Sequence, residues 1–136
     1  MTRPARIAWT IICLAALCLA GASTVRADEV ERYAPSSRSG RAAVVAAVVR
    51  ERAAAHDVSP WLLEALATCE SRLDPYAVGA AGELGLLQLH PRGLLPAFYR
   101  MGFDDPWSVY QQADFAAWAI ANGYARHWSC WRVVTS

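Results

Sequence analysis

Between residues 74 and 93 the chain cannot continue as one regular element. Asp74-Pro75 keeps Asp74 out of helical geometry, and glycines at 79, 82, 85 and 93 break any long periodicity beyond it. The same stretch nevertheless carries Leu84, Leu86, Leu87 and Leu89, which need cover from water. It is therefore expected to pack inward as a short helix or turn between helical portions on either side.

The flanking residues agree. In residues 41–56, Val44, Val45, Val48 and Val49 recur one helical turn apart, with Arg50, Glu51 and Arg52 at one end. The β-branched valines could favour a strand, but the surrounding alanines favour a helix. A second helix has Ser59 as its cap and Pro60 at its first position, with Leu62, Leu66 and Cys69 on one face. Beyond the glycines, residues 94–101 read as a short helix ended by Gly102. A last helix opens at Asp104, Asp105 and Pro106 and stops at about Asn122-Gly123. Its stripe is Tyr110, Ala113, Ala117, Ile120 and Tyr124. No alternating run is long enough for a strand and no repeat is present, so the fold class is mostly α.

The start of the chain reads as an address. Arg3 and Arg6 precede an apolar run from residue 7 to 20, and small residues follow up to Val25-Arg26-Ala27. That order marks residues 1–27 as a secretory signal peptide, with retention as an N-terminal anchor as the alternative. The run is shorter than the roughly 20 residues a membrane span needs. Residues 28–40 are polar and rich in serine, a flexible leader, and residues 41–136 form the domain.

Cleavage after Ala27 removes three of 13 arginines, leaving 10 against 12 acids, a net −2. That balance gives no reason to expect nucleic acid or an anionic membrane as partner. Two cysteines remain, Cys69 and Cys130; in an exported setting they favour a disulfide, two buried thiols being the alternative.

Glu70 ends the second helix. The helix dipole is negative there and disfavours an anion, and the helix is largely apolar. A glutamate facing a structured glycine loop is a candidate general acid, a role that near neutral pH needs a carboxyl kept protonated. The glycines let backbone approach a ligand closely, and Gln88 offers both a donor and an acceptor. A solvated helix-end residue is the plain alternative. Among other acids, Asp74 reads as a turn cap and Glu83 as a loop residue. His56, His90 and His127 are scattered, so no metal cluster is expected.

Two motifs carry a family resemblance. Cys69-Glu70-Ser71-Arg72-Leu73-Asp74-Pro75-Tyr76-Ala77-Val78-Gly79 resembles the first motif of the soluble lytic transglycosylases, a helix ending in Glu-Ser before Asn/Asp-Pro. Gly82-Glu83-Leu84-Gly85-Leu86-Leu87-Gln88-Leu89-His90-Pro91 resembles the second, Gly-x-x-Gly-Leu-Met-Gln followed by Pro. The resemblance covers about residues 41–132. It implies a small lysozyme-like helical domain without cofactor that acts on peptidoglycan glycan strands, as a monomer with no stable membrane span. It also implies Glu70 as the single catalytic carboxyl, first acid and then base on the sugar's 6-hydroxyl, giving 1,6-anhydromuramoyl products. Substrate contacts would fall on Ser71, Gln88, Tyr110 and Trp128.

The family's later Ala-Tyr-Asn-x-Gly stretch is absent. In its place stands Trp128-Ser129-Cys130-Trp131, as in compact phage-like or actinobacterial members of the lysozyme-like superfamily. Its tryptophans either stack on sugars or belong to the core. A hydrolase of the same fold and a non-catalytic wall-binding module remain as alternatives. The expected location is secreted, periplasmic or wall-associated.

Overall fold

The structure is a computed structural model in which residues 37–136 are described; the expected signal segment and most of the leader lie outside them. Helix α1 spans Arg38–Ala55. The Ser37 hydroxyl caps it by accepting the Gly40 N–H at 3.1 Å. It therefore begins before the expected Arg41. Val45, Ala46, Val49 and Ala53 form its buried face, with Val44 and Val48 flanking it.

Helix α2 spans Pro60–Ser71, with Pro60 in the first turn as expected. Ser59 occupies the cap position, but its side chain makes no capping bond. The buried face is Leu63, Leu66 and Ala67, turned from the one read from sequence; Leu62 is half-buried and Cys69 exposed. Arg72 and Leu73, at φ of 58° and 62°, turn the chain left-handed and stop the helix ahead of Asp74-Pro75.

Helix α3 is Leu95–Arg100 and α4 is Val109–Ala121. The expected opening of α4 at the Asp-Pro pair is not where it starts. The Ser108 hydroxyl accepts the Gln111 N–H at 3.3 Å and sets the beginning there. Its buried face is Gln112, Ala113, Phe115, Ala116, Ala117 and Ala119. Tyr110 and Tyr124 are about half exposed, at 51% and 45%, so neither belongs to the stripe. A 3₁₀ turn at Ala125–His127 and a short α5 at Trp131–Val134 complete the elements.

Helix α1 packs on both α2 and α4. Phe98 of α3 stacks on Phe103 at 5.0 Å and meets Phe115 of α4 edge-on at 5.4 Å. Among the described residues no helix is long and apolar enough to cross a membrane.

The glycine-spaced stretch is held by turns and two isolated bridges, Val78 to Leu84 and Leu84 to Leu89. Leu86, Leu87 and Leu89 are fully buried. Burying each contributes about 1.5–3 kcal/mol, which offsets the roughly 1–2 kcal/mol per residue needed to order its backbone and the roughly 0.5–1 kcal/mol for its side chain.

That burial leaves backbone groups without a ladder, and Gln112 satisfies them. Its Oε1 accepts the Leu87 N–H at 2.7 Å, while Nε2 donates to the carbonyls of Leu84 at 3.0 Å and of Pro106. Gly85, at φ 71°, leaves room for this amide; a Cβ there would collide with Nε2 and lie 2.6 Å from the Pro106 oxygen.

Gln112→Leu keeps the volume but strands the Leu87 N–H and the Pro106 carbonyl. Each buried group left unpaired costs about 1–3 kcal/mol. Denaturant titration should show a loss of at least about 2 kcal/mol, where an exposed glutamine would show almost none.

Candidate active site

The last turn of α2 and the glycine loop form two sides of a cleft of about 520 Å³, and the segment at 127–129 closes a third. Glu70, Glu83, Gln88, His90, His127 and Trp128 all line it, with the backbone of Gly79 and Gly93.

Glu70 reaches the cleft because α2 does not end before it. Its Oε1 accepts the Cys130 N–H at 3.0 Å and the Ser129 hydroxyl at 3.4 Å. Oε2 has no hydrogen-bond partner among the described residues. The carboxyl is thus fixed through one oxygen by donors from the terminal segment.

The donors to Glu70 come from a segment tied down at two points. Trp128 is 4% exposed, and its indole N–H donates to the Leu87 carbonyl at 2.7 Å. Cys130 is bonded to Cys69, across a sequence separation of 61. The disulfide expected from the cysteine pair is present, and it joins the neighbour of Glu70 to the residue that donates to Glu70.

Gln88 sits at φ 48°, a left-handed conformation that costs a non-glycine residue about 1–2 kcal/mol. Its Nε2 donates to the carbonyls of Gly85 at 2.8 Å and Ala77 at 3.2 Å. Both amide hydrogens are thereby used inside the loop. Gln88 therefore offers the cleft an acceptor, Oε1, and not the donor-and-acceptor pair read from its residue type.

Glu83 Oε2 accepts the Ala81 N–H at 2.9 Å. Hydrogen bonds from its own amide and that of Ala81 hold its carboxyl below the usual glutamate range. Oε2 of Glu83 and Oε1 of Gln88 converge on Gly79, where a Cβ would overlap the first and lie 2.6 Å from the second.

The other expected contacts are placed differently. Ser71 turns its hydroxyl back to the Ala67 carbonyl at 3.1 Å and does not line the cleft. Tyr110 is also outside it. Its hydroxyl accepts from Arg52 at 2.8 Å, under a guanidinium 4.6 Å from its ring, in a cluster where Asp114 also pairs with His56 at 2.9 Å. Trp128 is a core residue with one edge on the cleft. His90 and His127, read from the sequence only as scattered, and Ser129 of the terminal segment also reach the cleft, because only tertiary packing brings them there.

The family model described as Transglycosylase SLT domain matches residues 47–136, from the middle of α1 onward. The chain belongs to the SLT transglycosylase family. Comparison with curated proteins returned no match, and neither did comparison with solved structures. For an SLT domain the substrate class is peptidoglycan and the activity, at family level, is lytic transglycosylation. The mostly helical architecture is that of a small lysozyme-like domain, and the disulfide fits an oxidising, extracellular setting.

Two outcomes test this SLT site. Gly79→Ala is free of backbone strain, because Gly79 is not among the glycines at positive φ, yet it must displace Glu83 or Gln88. Misplacing a substrate-positioning group by about 1 Å costs up to about 100-fold. Wall-clearing activity should fall about 10- to 100-fold with circular dichroism unchanged. Reducing Cys69–Cys130 should cost about 2–4 kcal/mol and loosen the segment that donates to Glu70. Melting temperature and activity should fall together when both are measured with and without reductant.

Proposed function

We propose that this chain is an exported lytic transglycosylase that cleaves the β-1,4 bond between N-acetylmuramic acid and N-acetylglucosamine with Glu70 as its acid and base. The observation that carries the reading is the half-engaged carboxyl: Oε1 takes the donors of Ser129 and Cys130, and Oε2 is left for substrate. Protonated Oε2 gives its proton to the glycosidic oxygen as the bond to C1 breaks. The resulting carboxylate then takes the proton of the muramoyl 6-hydroxyl, whose oxygen bonds to C1. Glu70 returns to its protonated form, no water is consumed, and the product carries a 1,6-anhydro ring. Gln88, restricted to accepting, meets a substrate N–H or O–H. The signal-like composition of residues 1–27 and the disulfide support secretion or a periplasmic position.

A hydrolytic reading is favoured by one observation. Glu83 shares the cleft, and hydrogen bonds from its own amide and that of Ala81 hold its carboxyl below the ordinary range, which favours its ionised form. Hydrolytic glycosidases use one protonated and one ionised carboxyl, the ionised one stabilising the cation or activating water.

Glu70→Gln preserves size while removing the transferable proton. General acid catalysis contributes about two to four decades, so turnover of purified peptidoglycan should fall that far with the fold retained; near-native turnover would remove Glu70 from the mechanism. Mass spectrometry of the released muropeptides separates the two readings: products lighter by one water and lacking a reducing end support transglycosylation, and reducing ends support hydrolysis.

A further inference from the structure

Asp-Pro-aromatic occurs twice in the chain, as Asp74-Pro75-Tyr76 and Asp105-Pro106-Trp107. The two copies fold alike. In each, the aromatic residue's N–H donates to the aspartate Oδ1 at 2.9 Å, an Asx turn with its middle residue stiffened by proline. The turns bring their rings together, with centroids 6.4 Å apart and planes tilted by 31°. Tyr76 is 71% exposed and Trp107 half-buried, and Val78, two residues after Tyr76, is 66% exposed. The core therefore does not account for the pair. Trp61, a highly exposed indole, already has the Arg50 guanidinium 5.1 Å from its ring.

Both turns are fastened to the loop that forms the cleft. The residue after Tyr76, Ala77, accepts from the Gly85 N–H at 2.8 Å and from Gln88 Nε2. Pro106, before Trp107, accepts from Gln112 Nε2 and abuts Gly85. Neither ring lines the Glu70 cleft itself.

We infer that Tyr76 and Trp107 form an accessory carbohydrate subsite that stacks on pyranose rings of the glycan strand outside the Glu70 cleft. The proposal rests on the peptidoglycan reading above. Rigid aromatic rings supply contact area at little entropic cost, and two turns that fix them in advance reduce that cost further. Asp74, Asp104 and Asp105, close to the two aromatic residues in sequence, are exposed, each already accepting a hydrogen bond through Oδ1. These carboxylates suit sugar hydroxyls at the edge of a stacked ring and oppose an anionic lipid surface. A strand already held in the cleft presents its outlying sugars at high effective concentration, so the pair adds affinity only for strands long enough to reach it.

The test measures binding to the full chain carrying Glu70→Gln, using a β-1,4-linked N-acetylglucosamine tetrasaccharide and uncrosslinked peptidoglycan strands of increasing length. Tyr76→Ala and Trp107→Ala should weaken binding of long strands about tenfold more than binding of the tetrasaccharide. Trp107→Phe should restore most of the difference, and the melting temperature of Tyr76→Ala should be unchanged. An equal loss at every length would make the pair a support for the cleft and overturn the proposal, as would no loss. Should Trp107→Ala not fold, the exposed Tyr76→Ala decides alone. Strand binding by a native protein without turnover would defeat the enzymatic reading and leave the subsite standing; absence of strand binding overturns both.

Discussion

The peptide of Leu87 is where this structure is tied together. It lies in a fully buried residue with no strand or helix to satisfy it. Gln112 of α4 takes its N–H and Trp128 of the terminal segment donates to its carbonyl. A buried backbone group without a partner is expensive, so two side chains from distant parts of the chain are held where the peptide needs them. The loop, α4 and the terminal segment thereby acquire one relative position. Placing Trp128 also places Ser129 and Cys130, which orient Glu70.

The disulfide acts on the same geometry from the other side. Cys69 precedes Glu70 on α2, and Cys130 supplies an N–H to Glu70. One covalent bond and one hydrogen bond thus span neighbouring positions of the same two segments. The loop meanwhile uses its polar atoms internally: Gln88 spends its amide hydrogens on the loop, and Glu83 accepts the amide of Ala81. What remains facing the cleft are acceptor oxygens whose positions are set before any sugar arrives, which is the condition for cheap electrostatic recognition.

Local rules made much of this legible. Apolar spacing located the helices, Pro60 marked the start of α2, and the leucines among the glycines announced an inward turn. Glu70 stood out because it ends an apolar helix just ahead of that turn. Burial faces were harder to read. Leu63, not Leu62, faces inward on α2, and Tyr110 of α4 is drawn aside by Arg52. Gln112 was invisible for a physical reason: a glutamine inside an alanine-rich helix resembles a solvent position unless its backbone partners, 25 and 28 residues away, are known. Ser71 carried the right residue type, but its hydroxyl found a nearer acceptor in the preceding turn. His90, His127 and Ser129 gather only through packing across the chain.

The donors that orient Glu70 lie 59 and 60 residues downstream of it. Contacts so distant in sequence form after helices and tight turns, because the intervening chain must first be closed into a loop. Helix α2 alone therefore leaves the Glu70 carboxyl free to rotate. Its orientation depends on the docking of Trp128 and its neighbours Ser129 and Cys130, so the geometry around Glu70 rests on contacts distant in sequence and not on the helix that carries it.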